Sequence, residues 1–252
     1  GWEEAFDARF DGPNPERHLQ ALVAGRRNVC WILLACPAPI QLWIARAGVP
    51  AFVLGSCLPG VELPSIDVDY RAVGWHAAGS ILQHGHRHIG LLQPRRPLAG
   101  DLAASEGFLA YIAKSPAGTT VSNVPIDANP AVFRARLDRL TRSPQRPTAL
   151  FTIRLSDALR AMFHLIRTGL RIPDDLSLVL GDSHSLIDTA LPEITRYRDI
   201  NLSHADHAVR IVEALLTRHP VSVKPHLFIP TFIPGRTLAP PRGAGRDTDR
   251  AR

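Results

Sequence analysis

The sequence predicts an α/β fold with parallel sheets that are covered by helices on both faces. Short, fully apolar segments alternate with amphipathic segments along most of the chain, which is the pattern of successive βαβ units. The apolar segments lack the alternation of a half-exposed strand, so we expect each sheet to be buried on both faces. The chain has 252 residues, of which 45% are hydrophobic, which suits one large domain or two small ones.

The predicted elements follow one another in a regular order. The predicted strands are 29–34, 50–54, 65–68, 88–92, 119–125, 148–152, 176–180 and 228–232. The predicted helices are 40–47, 71–83, 103–113, 130–141, 156–168 and 205–218. Val73, Ala77 and Ile81 recur with helical spacing in the second of these, and Gly85 follows it where a left-handed residue ends a helix. Residues 239–252 are rich in Pro, Gly and Arg without apolar periodicity, so we expect a disordered tail.

Length and spacing of the apolar runs argue against a membrane protein. The longest run, 29–37, is too short to span a bilayer, and residues 1–10 lack the basic and apolar regions of a secretory signal. Cys30, Cys36 and Cys57 are odd in number and lie in apolar stretches, which favours reduced core thiols. We therefore expect a cytoplasmic protein that does not contact a membrane.

The net charge of +6 does not by itself indicate a nucleic-acid surface. The basic residues are nearly all Arg, with Lys114 and Lys224 the only lysines, and they are spread along the chain. A DNA-binding surface would be expected to cluster its basic residues. The charge therefore favours ordinary solvent-exposed arginines in this part of the protein.

Enzyme motifs are absent from the sequence. It contains no G-x-G-x-x-G, Walker A or G-x-S-x-G motif. His84, His86 and His88 span a helix end, a turn and a strand start, so their rings should diverge rather than bind one metal ion. Asp182 and His184 flank a serine, but a working triad needs its side chains arranged across space. We expect no enzymatic activity and no cofactor.

Several segments of the sequence form a distinctive set of motifs when they are taken together. Residues 68–92 include VDYRAVG and GHRHIGLL. Residues 147–151 read PTALF, and 169–179 read GLRIPDDLSLV. Residues 192–198 read PEITRYR, and the last segment, 232–238, reads FIPGRTL. In their order and spacing these segments resemble the lactose-repressor/galactose-repressor (LacI/GalR) family of bacterial transcription regulators. The combination makes the resemblance specific, and it covers roughly residues 1–238.

The resemblance implies a type I periplasmic-binding-protein-like core. Such a core has two doubly wound parallel-sheet lobes with a ligand cleft and crossing hinge strands. The N-terminal lobe would comprise 1–86 plus 203–224, and the C-terminal lobe 87–200 plus 226–238. The resemblance also implies that a first βα unit and a DNA-reading head are missing from this sequence.

The implied function is that of the ligand-sensing and dimerising core of a transcription regulator. The partners would be a small-molecule effector such as a sugar or sugar derivative, a second copy of the chain, and operator DNA contacted through the N-terminal head. The alternative is a periplasmic sugar-binding protein of an ABC transporter, which shares the two-lobe fold. The lack of a secretory signal and the GHRHI segment argue against that alternative.

Asp69 and Asp182 match two family positions at strand ends. In sugar-binding relatives these carboxylates accept hydrogen bonds from ligand hydroxyls, and charged acceptors form the stronger hydrogen bonds. The alternative is that each aspartate caps the helix that follows it. Asp199, near the predicted hinge, and Asp101, in the predicted loop after strand 88–92, extend the implied ligand-binding set.

Two positions depart from the family pattern and change the expected charge of the pocket. The family's usual ligand-binding arginine is replaced by Ala104, and the family's Asn-Asp pair is replaced by Arg154 and Leu155. A cation would thus move from one side of the implied cleft to the other. Arg154 could pair with Asp182 or with an anionic ligand, which leaves the usual pentose or hexose effector open.

Overall fold

A computed structural model describes residues 15–182, 184–189, 191–198 and 203–242. It confirms the predicted fold class, with helices and mostly parallel strands in alternation. By packing, the described residues divide into a first unit of 15–68, 98–100 and 203–228 and a second unit of the remainder. The helix predicted at 71–83 packs with the second unit, whereas the sequence assigned it to the first lobe. The lobe boundaries themselves stay a prediction.

The first unit contains a four-stranded parallel sheet in the order β1-β2-β3-β9. Its strands are β1 (Trp31–Leu34), β2 (Ala51–Leu54), β3 (Ser65–Val68) and β9 (His226–Phe228), and its helices are α1 (Pro15–Val23), α2 (Ala38–Ala47) and α7 (Ser203–Leu216). Val53 packs with Ile44 of α2, whereas its neighbour Phe52 packs with Ile211 of α7. Because successive strand residues point to opposite faces, helices cover the sheet on both faces, as predicted.

The second unit contains a six-stranded sheet in the order β10-β8-β7-β6-β4-β5. Only β10 runs antiparallel to its neighbour. The strands are β4 (His88–Pro94), β5 (Thr120–Ile126), β6 (Ala149–Thr152), β7 (Ser177–Leu180), β8 (Thr195–Arg198) and β10 (Thr231–Ile233). The helices are α3 (Tyr70–Gln83), α4 (Ala99–Ile112), α5 (Pro130–Arg142) and α6 (Leu155–Arg167).

Each face of the second sheet has its own core. Leu150 and Leu178 pack with α5 and α6 on one face, through residues such as Leu137 and Leu165. On the other face, the ring of Phe108 from α4 stacks on Phe151 of β6, with 5.0 Å between the ring centroids. The two central strands, β6 and β7, are therefore buried on both faces, which explains their largely apolar sequences.

Helices α3 and α4 approach each other at backbone distance. A Cβ atom on Gly74 would lie 1.9 Å from the backbone oxygen of Ala104, and one on Gly107 would lie 2.0 Å from that of Arg71. No real Cβ atom tolerates such distances. Glycine at both positions therefore sets how closely the two helices cross.

The structure differs from the predicted elements in several places, and helix α1 is one element that the sequence did not predict. The predicted strand 228–232 is two strands, β9 and β10, which belong to different sheets; Pro230 between them has no N–H to donate to a ladder. Strand β8 was not predicted because its sequence, TRYR, is largely polar, although Arg196 is buried and pairs with Asp188 at 2.7 Å. Helix α4 begins at Ala99, so Asp101 lies in its first turn and not in a loop.

The three histidines considered as a metal cluster bind separate partners. His86 is buried, with Nδ1 at 2.8 Å from the Thr148 hydroxyl and Nε2 at 2.9 Å from the Ala239 carbonyl oxygen. His84 and His88 form hydrogen bonds elsewhere. Within the described ranges, no three His, Cys, Asp or Glu side chains come together as a metal site.

The first residues of the predicted disordered tail are held against the second unit. The amide of Ala239 donates to the Ser177 hydroxyl at 3.1 Å, and Arg242 pairs with Asp174 and Asp175. Residues 239–242 therefore depart from the prediction, because backbone hydrogen bonds and ion pairs compensate for the lack of an apolar pattern. Residues 243–252 lie outside the described residues.

The three cysteines are half-buried, and none of them forms a disulfide. The Sγ atom of Cys57 donates to the Leu63 carbonyl at 3.6 Å, and burial raises the pKa of the Cys30 thiol to about 11. A thiol with such a pKa stays protonated near neutral pH, which agrees with the predicted packing role. Among the helices described, none is long and apolar enough to cross a membrane.

We expect His86 to make the protein acid-sensitive. Burial lowers the pKa of His86 from 6.5 to about 4, because the imidazolium would lose its hydration. The unfolded chain therefore takes up a proton that the folded chain excludes, so this stability is present above about pH 6.5 and lost as the pH falls toward 4. Wild type should lose about 2 kcal/mol more than His86→Gln between about pH 7.5 and about pH 5 in urea unfolding.

The matched control for this experiment is His88→Gln, which removes a less buried histidine from the adjoining strand. Its pH dependence should stay close to that of wild type. Equal losses of unfolding free energy in wild type and His86→Gln would contradict the assignment.

Candidate functional site

The carboxyl ends of β6 and β7 bring two of the predicted site residues to one edge of the second sheet. These strands end at Thr152 and Leu180, which are register partners. Arg154 and Asp182 each follow two residues later. The Gly181 amide donates to the Thr152 carbonyl at 2.7 Å, which continues the pairing beyond the strands. Ligands of doubly wound sheets bind outside this end of the strands, and we call this region the carboxyl edge.

Arg154 forms a two-point ion pair with Asp101. Its Nε donates to Asp101 Oδ1 at 3.1 Å, and its Nη2 donates to Oδ2. Asp101 is only 4% exposed and lies in the first turn of α4, where the helix dipole favours a carboxylate. From the sequence, the expected partner of Arg154 was Asp182 or an anionic ligand. Asp101 was predicted only as a ligand contact. The structure shows the two predicted residues bound to each other.

Asp157 adds a second buried carboxyl group beside this pair. It lies in the first turn of α6, with Oδ1 3.7 Å from Nη1 of Arg160. Burial raises the pKa of Asp157, while the nearby charges of Arg154 and Arg160 act in the opposite direction. Sequence reasoning missed this residue, although its place one helical turn after Arg154 was a usable signal.

A chain of side-chain hydrogen bonds leads to Asp101 from the neighbouring strands. Asn123 of β5 donates to Gln93 of β4 at 3.0 Å, and Gln93 donates to Ser105 of α4 at 2.9 Å. Ser105 in turn donates to the Asp101 carbonyl at 2.8 Å. These three residues were not predicted, and the available signal was the polar Gln93 at the end of an apolar strand.

Thr152 also belongs to this edge and was missed. Its hydroxyl is buried, and it has no hydrogen-bond partner among the residues that the structure describes. An unsatisfied buried hydroxyl is costly, so a ligand or water group at the carboxyl edge would relieve it.

The remaining predicted residues differ in their outcome. Asp69 is the N-cap of α3, and its carboxylate accepts from the Ala72 amide at 2.9 Å, which confirms the capping alternative. Its contact with a ligand stays a prediction. Asp182 is half-buried, and Asp199 lies outside the described residues.

The carboxyl edge is equipped for binding. It offers a guanidinium, carboxylates, amides and hydroxyls as hydrogen-bond donors and acceptors. Such groups, fixed by strand ends and helix N-termini, suit recognition of a polar small molecule.

Comparison with known proteins identifies the family of the domain. The sequence model of the periplasmic binding protein-like domain family matches residues 78–238. The transcriptional regulator GalR of Salmonella typhimurium is 25% identical over 238 residues, which are 92% of this chain and 69% of GalR.

Solved structures share the fold. A LacI family transcriptional regulator from Mycobacterium smegmatis superimposes with a TM-score of 0.74 at 24% identity, covering 91% of this chain and 86% of the other. A LacI family regulator from Enterococcus faecium with bound ribose superimposes with a TM-score of 0.66 at 19% identity, covering 80% and 74%. The family match covers well over half of the sequence, and the chain therefore belongs to the periplasmic-binding-protein-like domain family, as the effector-binding domain of a LacI-family transcriptional regulator.

Proposed function

We propose that this domain senses a neutral sugar at the carboxyl edge of its second sheet. The observation that carries the proposal is the two-point ion pair between Arg154 and the buried Asp101. Because a carboxylate of the protein already balances the arginine, the edge favours a ligand with hydroxyl groups over one with a negative charge. The E. faecium relative with bound ribose supports the ligand class.

An anionic ligand at the carboxyl edge would compete with Asp101 for Arg154. To pair with Arg154, a phosphate or carboxylate would have to take the guanidinium from Asp101. That exchange would separate a buried carboxylate from the guanidinium that balances its charge, which disfavours an anionic ligand. A neutral sugar can instead donate hydroxyls to Asp182 and to Asp101 while the ion pair stays intact.

The domain then acts as the sensor of a regulator. Sugar binding favours one conformational state of the domain over another. The size of this population shift is limited by the difference between the sugar's affinities for the two states. In the regulator as a whole, that difference is passed to operator DNA in the cytoplasm. The relatives are transcription regulators, which favours this function over transport and over enzymatic activity.

We further propose that the regulator is a homodimer that uses the outer face of α6. Phe163 and Ile166 lie three residues apart on this helix and are 67% and 62% exposed. Regulators of this family are typically dimers, and a second copy would bury the same face symmetrically. Burial of each side chain would contribute about 1.5–3 kcal/mol.

The effector proposal predicts a selective response in a thermal-shift screen. A neutral pentose or hexose should raise the melting temperature. At a sugar concentration of one hundred times the dissociation constant, the free energy of unfolding should increase by about 2.7 kcal/mol. Phosphorylated and acidic analogues of the same sugar should have smaller effects. Asp182→Asn should weaken sugar binding about tenfold in calorimetry, because it removes a charged acceptor.

Asp174→Asn is the matched control, since it changes an exposed aspartate of the same unit that pairs with Arg171 and Arg242. It should leave sugar affinity unchanged. Stabilisation by the acidic analogues alone would contradict the proposal of a neutral effector.

The dimer proposal predicts a change of mass on light scattering after size exclusion. The double substitution Phe163→Glu and Ile166→Glu should convert a dimer into a monomer, because it places charges in an apolar interface. Val132→Glu on the exposed face of α5 should leave the dimer intact. Dimers that survive the α6 substitutions would rule this face out.

A further inference from the structure

A cavity lies in the second unit, beside the amino end of β4. It has a volume of about 380 Å³, within the range of small-molecule sites. Helix α3, the end of α4 and the turn after α4 line it, with Trp75, Leu82, Arg87, Tyr111, Lys114 and Pro116 among the lining residues. Arg87 immediately precedes β4. Because β4 and β6 are parallel, the cavity lies at the opposite end of the sheet from the carboxyl edge.

Two aromatic rings form the apolar part of this cavity. Trp75 and Tyr111 meet edge to face, with 5.0 Å between their centroids and 80° between their planes. A Cβ atom on Gly79 would lie 3.1 Å from the ring of Tyr111, so glycine there lets the ring lie close to α3. Trp75 is nevertheless 38% exposed, which leaves part of the indole available to a ligand.

Two cations lie at the same cavity. Lys114 Nζ lies 4.9 Å from the centroid of the Trp75 ring, a cation–π distance. Arg87 is held in place by donating Nη1 to the Leu82 and His86 carbonyl oxygens, at 3.1 and 2.9 Å. Among the residues that line the cavity there is no Asp or Glu. The cavity therefore combines aromatic surface with uncompensated positive charge.

We propose that this cavity is a second binding site, separate from the sugar site, and that it takes an aromatic carboxylate. The ring of the ligand packs against Trp75 and Tyr111, and its carboxylate pairs with Lys114 and Arg87. Offset and edge-to-face ring contacts and charge-assisted hydrogen bonds then act together. A sugar would use the aromatic surface without the two cations, and a simple anion would use the cations without the rings.

The test is a calorimetric titration of the intact chain with 2-naphthoate. Wild type should bind 2-naphthoate at least about tenfold more tightly than the neutral isostere 2-naphthamide. Lys114→Gln should weaken 2-naphthoate binding by about tenfold, because it removes a cation that pairs with the carboxylate. Binding of the uncharged 2-naphthamide should be unchanged, and the exposed position of Lys114 means that the substitution should not disturb the fold. Lys224→Gln, which changes the other lysine of the chain, is the matched control and should bind as wild type does. Trp75→Leu should weaken both ligands.

Two results would overturn the proposal. One is equal affinity for 2-naphthoate and 2-naphthamide, or no binding of 2-naphthoate to a folded wild-type sample. The other is loss of 2-naphthoate binding in Arg154→Ala, which would place the ligand at the carboxyl edge. Sugar binding measured on the same samples tests the effector proposal independently, so either site can fail without the other.

Discussion

The backbone contact between α3 and α4 is the constraint on which the second unit depends. Gly74 and Gly107 let each helix press against a carbonyl of the other, where any side chain would overlap it. Close-packed interiors transmit such a contact over several residues because they have little free volume. The position of α4 along α3 then determines where Asp101, at the first turn of α4, and Tyr111, near its end, are located. Both proposed binding sites therefore depend on the same crossing.

Charge balance sets the character of the carboxyl edge. The carboxyl edge contains the guanidinium of Arg154, which would attract anions if it had no carboxylate beside it. The structure shows it held by a carboxylate from α4, with Asp157 and Arg160 as a second pair one turn along α6. Ion pairs that are already formed need no rearrangement when a neutral ligand binds. The free-energy cost of ordering these side chains is therefore met before binding. The departures from the family pattern thus conserve a polar edge while rearranging the residues that form it.

The sequence predicted the fold class and most of its elements, because buried strands and amphipathic helices have distinct apolar periods. The sequence did not predict those elements in which the buried residues are polar. The buried Arg196 interrupts the apolar pattern by which strand β8 could have been predicted, and its charge is balanced by Asp188. The hydrogen bond that holds Ala239 to Ser177 joins residues far apart in the sequence, so no local pattern predicts it. Strands β9 and β10 appeared as one segment, because apolar content does not show which sheet a residue joins.

The location of the candidate site could be predicted from the sequence, whereas the ion pair between Arg154 and Asp101 could not. Strand ends identified Arg154 and Asp182, since every βα junction of a parallel sheet points to the same edge. The partner of Arg154 depends on where α4 begins, and that start lies four residues earlier than the apolar pattern indicated. Gln93, Ser105 and Asn123 form a network only after three elements have packed together, so neither spacing nor composition could reveal it.

A crystal structure of the domain with the neutral sugar that stabilises it most would test the central claim directly. We expect sugar hydroxyls within hydrogen-bond distance of Asp182 and of the Arg154–Asp101 pair, with that pair intact. Sugar bound away from the carboxyl edge, or Arg154 drawn from Asp101 to the ligand, would contradict it.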